Sequence, residues 1–486
     1  MAATVSLVTQ PDLLAPVNKE LWYQVNSGSS SVTNFKYIFR VQEKLEPFGS
    51  TSFTALNLYK IPPRPLTGDG LFSPHRLLKS FILNKVNPYQ TDWKSGFVSS
   101  TAPGIPGALV QYNLKYGYEY NPSQNWADTY FLSGNLGLTF STPHGLELGD
   151  IITLDKDNKT INPSYDGTCS VIQVVDTRLI KTDKGWGVSS LNETGTITSL
   201  LRLTATSSNR ITYNGTRQYM ERTKDFSTIN ILTGPTSSFL STYNQTYKPV
   251  ATDDYETLSM IFATATGNTF FVDTYNSGGT LIGTYSYPIS GATTYQRVDF
   301  GVGPKNLFNA SSINFANVST YRVYTKSGGA TSSQIKYYNI DTECSIYDKV
   351  RLCFLNRQGG WDYFNFTLDS KRTVSISKNE YEKILDWNYS VGDRGQSVLA
   401  QKAEQKMTIN SNWITEDDSI WLEELLTSPE VYVLGNTSTL GGASTGYKLP
   451  IIITDTTYEV KTAIRDRLFN LVVNFKYAYV TNLQNE

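Results

Sequence analysis

The chain has 486 residues, enough for about two to four domains with cores of their own. Its formal net charge is −1 and only 17% of its residues are charged. That argues against a nucleic-acid binder working through a basic surface, because phosphate affinity needs clustered Lys and Arg.

Tyr is abundant, at 32 residues, beside many Thr, Ser, Asn and Gly. Tyr and Thr favour strands while Gly, Asn and Ser favour turns, so a mainly β, multidomain protein of many short strands is expected. The opening MAATVSLVTQPDLLAP has no basic flank and no long apolar core. Synthesis in a cytoplasm without a secretion signal is expected. Apolar runs such as LFNLVV are strand-sized, well short of the roughly 18 residues of a spanning helix, so no membrane span is expected.

The first segment, residues 1–135, reads as an N-terminal β domain. ELWYQVNS, NFKYIFRVQ and LVQYNLKYGYEY alternate apolar and polar residues with period two, as half-buried antiparallel strands do. Within it, FSPHRLLKSFIL predicts a short helix with Ser73 as N-cap and Pro74 at the first helical position. His75 then falls at an exposed helix start.

Residues 136–187 form a compact unit of small-barrel size. Strand-like IITL, SVIQVV and RLIKT are punctuated by PHG, LGD and YDG turns. DKDNKT, at Asp155 to Thr160, imitates a calcium loop but lacks the Gly at its sixth position and the distant bidentate Glu. A solvated turn is the reading it supports.

Residues 188–350 read as a β-sandwich. TLSMIFAT, NTFFVDTY, TLIGTYSY, QRVDFGV, YRVYTKS and QIKYYNID recur with turns between them. A tyrosine-rich face here would suit a carbohydrate or a protein partner, although ordinary sandwich packing explains the tyrosines equally well.

Residues 351–486 read as an α+β module. RLCFLNRQGGWDYFNF sets Leu352 and Phe354 on one strand and Trp361, Tyr363 and Phe364 on the next. Between them, Gly359 and Gly360 let the turn close. NWITEDDSIWLEELLTSPEVYVL predicts a helix over 415–427, with Thr415 capping and Asp418 completing a capping-box variant. The acidic Glu416, Asp417 and Asp418 suit the positive end of the helix dipole, which leaves no need for a metal. Trp421, Leu422, Leu425 and Leu426 make one apolar stripe, and Pro429 marks the stop. KLPIIITDTTYEVKT and RLFNLVVNFKYAYV follow as strands, with Phe469, Leu471, Val473, Phe475 and Tyr477 on one face. Shortening this last strand is expected to damage the fold.

Chemistry-bearing motifs are scarce. His75 and His144 are the only histidines, and neither has a paired-ligand spacing. The sequence contains no Walker loop and no GxGxxG after a strand. Asp253–Asp254 and Glu423–Glu424 are adjacent pairs, whereas glycoside hydrolysis needs two carboxyls about 5–9.5 Å apart across a cleft. Cys169, Cys344 and Cys353 lack metal-site spacing. Cys344 and Cys353 are close enough in sequence to meet across a strand pair, but reduced, buried thiols are the simpler reading. No catalytic, cofactor or metal residue is assigned.

RLCFLNRQGGWDYFNF, SISKNEYEKI, WITEDDSIWLEELLTSPEVYVL, KLPIIITDTTYEVKT and RLFNLVVNFKYAY together resemble a C-terminal module of virion proteins of tailed bacteriophages, notably those infecting Bacteroidota. NFKYIFRVQ, YNLKYGYEY and YNGTRQYMER are similar to its N-terminal partner. TPHGLELGDIITL with NPSYDGTCSVIQVVDTRLIKT is similar to a small β-barrel inserted in phage structural proteins and related to an accessory barrel of ubiquitin-activating enzymes. There His144 and Gly145 belong to a turn.

The fold class implied is antiparallel β-sandwiches plus one small β-barrel insertion, with a few short helices. The role implied is a structural virion component, made in the host bacterial cytoplasm and placed at the tail tip, baseplate or adjoining tail. It would assemble non-covalently into a ring of its own copies against neighbouring tail or neck proteins. A host-surface glycan adhesin and a neck or capsid-associated protein are the alternatives, and neither nucleic acid nor cofactor is implied.

Overall fold

A computed structural model describes residues 4–32, 34–45, 52–82, 108–157, 165–185, 193–216, 238–262, 268–289, 295–311, 313–342, 346–435, 447–455, 470–479 and 481–482. Most of these residues lie in antiparallel sheets, with three short helices among them. The mainly β class expected from composition holds. None of the described helices is long and apolar enough to cross a membrane. Two compact units form: one takes residues 1–83 and 109–213, the other 84–108 and 214–486.

In the first unit Leu109–Tyr120 is the spine. It pairs antiparallel with Lys36–Leu45 on one side, and with Gly195–Thr206 and Arg210–Tyr213 on the other. The ladder continues from Gly195–Thr206 through Ile151–Lys156, Gly167–Val174 and Leu179–Gly185 to Asn135–Thr139. Strands on both sides of residues 135 and 187 therefore share one sheet, and the unit closes at Tyr213. Two cores fill it. Tyr23, Tyr37, Phe39, Tyr112 and Tyr118 build one, while Trp126, Leu138, Ile152, Cys169, Ile180 and Ile197 build the other. Spine residue Gly117 has no room for a side chain, since a Cβ there would sit 1.8 Å from the Arg202 carbonyl oxygen.

The short helix is His75–Lys79, and its N-cap is Pro74 rather than Ser73. Ser73 Oγ is occupied elsewhere: it accepts the Leu21 N–H at 2.7 Å and lies 2.9 Å from His75 Nδ1. A tertiary contact has taken the capping hydroxyl, and His75 is half-buried rather than exposed.

The second unit contains the sandwich. Asn268–Tyr275 lies between Leu281–Pro288 and Thr320–Ser327, which in turn pairs with Lys336–Ile340. Tyr247–Val250 joins that edge in parallel, and Thr257–Phe262 pairs with Gln296–Gly301 in a separate two-stranded sheet. Phe270, Val272, Met260, Val298, Phe300 and Tyr321 fill the core. Tyr321 and Tyr338 stack there at 4.8 Å, so packing accounts for the sandwich tyrosines nearest the middle.

The rest of the unit is a sheet ordered Trp361–Phe366, Val350–Leu355, Val431–Gly435, Tyr447–Ile453, Val472–Tyr477, Gln396–Asn410, Ser370–Glu382. The helix Glu416–Thr427 covers one face with Trp421, Leu422 and Leu425, against Leu352, Phe354, Val473 and Phe475. Both halves of its capping box form, with Asp418 N–H donating to Thr415 Oγ1 and Thr415 N–H donating back to Asp418. In the last strand Leu471, Val473 and Phe475 are buried, while Val472 is exposed; Phe469 lies outside the described residues.

Candidate functional site

The hairpin with two glycines holds the second unit together locally. Leu355 opposes Trp361, and Cys353 opposes Tyr363, on the face away from the helix. Trp361 meets Tyr432 edge-on at 5.7 Å and anchors a small second core. Both faces of the hairpin are thus buried. Asn356 staples the tip: its Oδ1 accepts the Gln358 and Gly360 N–H groups, and its Nδ2 donates to the Leu240 carbonyl and to Asp362. Gly359 takes a left-handed φ of +78°.

Behind the hairpin lies a buried ion network. Arg351 donates to Asp254 Oδ2 at 3.0 Å and to Glu256 Oε2 at 3.1 Å. Glu256 also accepts from Lys248 Nζ at 2.9 Å and from Tyr338 Oη. Lys349 joins Asp254 and its exposed neighbour Asp253. Burial alone would raise the Asp254 pKa; the cations of Arg351 and Lys349 outweigh it, and the carboxyl is held below its ordinary value. The adjacent pair Asp253–Asp254 is therefore one structural anion and one surface carboxylate.

A second carboxylate meeting comes from residues far apart in sequence. Thr242 Oγ1 is 2.9 Å from both Asp362 Oδ2 and Glu424 Oε2. Asp362 also accepts from Ser241 Oγ, the Thr242 N–H and Asn356 Nδ2, while Glu424 accepts the Arg357 N–H. Burial raises the Glu424 pKa. The Ser241 and Thr242 bonds tie loop 240–243 to the hairpin and the helix, the Arg357 bond ties the hairpin to the helix, and neither carboxylate lines the cavity described below. Its partner in sequence, Glu423, is exposed.

The other residues singled out by sequence have structural surroundings. His144 is buried; its Nδ1 accepts the Leu146 N–H, so Nε2 donates to the Asp176 carbonyl at 2.9 Å. Gly145 follows at φ +64°, which makes the PHG segment a turn. Arg202 grips Asp150 of the GD turn through two bonds, of 2.7 and 2.6 Å. Nothing in the local sequence forecast that pair, which spans 52 positions. Cys169 and Cys353 are buried free thiols, and burial pushes the Cys169 pKa up to about 12. Cys344 and residues 158–160 of DKDNKT lie outside the described residues, while Lys156 of that segment forms a buried ion pair with Glu193 at 2.7 Å. Among the described residues no three His, Cys, Asp or Glu side chains gather as metal ligands.

A cavity of about 420 Å³ opens in the second unit, within the size range of small-ligand pockets. Tyr243, Tyr363, Phe364, Trp413 and Trp421 supply aromatic walls; Asp341, Asp418 and Asn365 supply polar groups. The Lys248 ammonium lies 5.5 Å from the Tyr363 ring centre and 5.7 Å from that of Tyr243. Trp413, at the rim, is 65% exposed. Such walls suit a planar apolar group, with carboxylates at the edge favouring a cationic flank.

Beside the cavity the chain runs out into an arm. Ser370–Glu382 and Gln396–Asn410 pair antiparallel from Ser370↔Ile409 outward to Glu382↔Gln396. Among the described residues only the inner part is supported further, by Val472–Tyr477 along Lys406–Asn410 and by Thr481–Asn482 at Lys402–Ala403. All thirteen residues of Ser370–Glu382 are exposed. Val374, Ile376, Tyr381, Trp387, Tyr389 and Leu399 are among the large apolar side chains that stand in solvent, and Trp387 at the tip is 91% exposed.

No protein-family model matches the chain, and no curated protein matches it. Among solved structures it is similar to the phage phi92 endosialidase, at 9% identity and a TM-score of 0.17, over 98% of this chain and 69% of that one. It is also similar to dimeric latent PorU from Porphyromonas gingivalis, at 8% identity and a TM-score of 0.13, over 70% of this chain and 34% of that one. At those TM-scores neither likeness bears on fold or function.

Proposed function

We propose that the chain is a structural component of a tailed-phage particle, at the tail tip, baseplate or adjoining tail. In this reading it fits non-covalently against copies of itself in a ring and makes or breaks no covalent bond. The observation that carries it is the arm. An isolated two-stranded ribbon is marginal in water, and apolar side chains as large as these are stabilised when a partner covers them. SISKNEYEKI, one of the segments that resembles phage virion proteins, runs along this arm. The engaged state of Asp254, Asp362 and Glu424 also supports a scaffold, since Arg351, Ser241 and Thr242 each join separate segments through them.

The test is quantitative mass spectrometry of purified particles from an infected host culture. Peptides of this chain at a fixed copy number per particle are the expected result. Their absence from particles, with the protein present in the lysate, would overturn the reading. Of the sandwich tyrosines that a glycan adhesin would use, Tyr321 and Tyr338 are core residues, whereas Tyr247 is exposed.

A further inference from the structure

We infer that the outer edge of Ser370–Glu382 pairs antiparallel with the same edge of a second copy of this chain, residue 376 facing residue 376. The inference rests on the assembly reading above and specifies its contact.

Ser370–Glu382 is the last strand of its sheet, so among the described residues its outward N–H and C=O groups have no ladder partner. Such an edge is a template for another strand, and proteins that must stay apart blunt it with proline, bulges or short length. None of these is used here. The strand runs for thirteen residues without a proline. The irregularity between Asn379 and Glu380 leaves its extra residue, Leu399, on the inner strand, so the outer edge is unbroken. Two arms joined along this edge make a four-stranded sheet, where a lone two-stranded ribbon is marginal.

The charges select the occupant. Arg372, Val374, Ile376, Lys378, Glu380 and Glu382 alternate onto one face. Their ladder partners on that face, Met407, Gln405, Ala403, Gln401, Val398 and Gln396, are all uncharged. Among the described residues neither Arg372, which donates to Gln405, nor Glu380 has an ion-pair partner. Antiparallel pairing centred on residue 376 sets Arg372 of each copy opposite Glu380 of the other. Ile376, 57% exposed in the single chain, then meets its own counterpart between the two ion pairs, with Val374 beside it.

Other arrangements fit less well. Slipping the register by two residues one way sets Arg372 opposite Lys378. Slipping it the other way keeps Arg372 against Glu382, but sets Ile376 against Lys378 and Val374 against Glu380, and shortens the ladder. A parallel, in-register pair sets every charge beside its like. The edge is thus best matched by itself reversed. Such a contact is isologous and closes at two copies, the smallest ring.

The test uses two charge-reversed full-length variants, Arg372→Glu and Glu380→Arg, followed by sedimentation velocity alone and as an equimolar mixture. Each alone turns both ion pairs into like-charge pairs and should raise the concentration for half-assembly by about tenfold. In the mixture every position 372 again faces the opposite charge at position 380, and assembly should return to the wild-type value. Only a contact between copies can be rescued by mixing. Single variants that assemble as well as the wild type, or a mixture no better than its parts, would overturn this contact and leave the assembly reading standing. A wild-type chain that never oligomerises would sink both.

Discussion

Arg351→Ala is expected to lower the unfolding free energy of the second unit by about 3–5 kcal/mol. The guanidinium sits between Asp254 and Glu256, donates to the Tyr255 carbonyl from two of its nitrogens, and reaches Asn365 with a third bond. Removing it leaves two buried carboxylates with less positive charge than they need. Lys349 and Lys248 remain, one on each acid, which is why the loss is bounded rather than total. Urea unfolding followed by tryptophan fluorescence reads the change. Lys402→Ala, which breaks the surface pair with Glu404, serves as the control and should cost far less. Equal effects from both substitutions would show that the network is not what joins the sandwich to the hairpin.

Gly360→Ala is expected to be at least as damaging, at about 3 kcal/mol or more, whereas Gly359→Ala should cost only about 1–2 kcal/mol. The two adjacent glycines are needed for different reasons. Gly359 is needed for its left-handed backbone, which alanine adopts at a modest cost. Gly360 is needed for contact: a Cβ there would lie 1.7 Å from the Leu240 carbonyl oxygen. That carbonyl cannot swing aside freely, because it accepts from Asn356 Nδ2 and the same residue's N–H donates to the Ser259 carbonyl at 2.7 Å. Thermal melts of the two variants should separate clearly. If Gly359→Ala proved the worse of the two, turn closure rather than close packing would be the dominant requirement.

Where periodicity or capping is local, the sequence was sufficient. The sandwich strands from Thr257 to Ile340 fall on the strand-like runs that turns separate, and the Thr415 cap is fixed by a residue three positions on. Long-range partners were not legible. Arg202 finds Asp150, Arg351 finds Asp254, and Thr242 joins Asp362 to Glu424, each across a separation that no local pattern encodes. Ser73 failed as a cap for the same reason, since Leu21 claims its hydroxyl. The arm was hidden for a subtler one: TVSIS alternates as any half-buried strand does, and only the fold reveals that among the described residues no second layer lies over Val374 and Ile376. The aromatic cavity likewise draws its walls from four separated segments, so composition announced the aromatics but not their meeting.

Sedimentation velocity of the purified full chain, from low to high micromolar concentration, tests the central claim most directly. It should be run beside a variant in which residues 380–399 are replaced by an Asn-Gly turn linking the paired Asn379 and Ala400. The full chain is predicted to move from monomer to a single larger species as concentration rises, while the shortened variant, still folded by circular dichroism, stays monomeric. A full chain that remains monomeric throughout, or a shortened one that assembles equally well, would contradict the account.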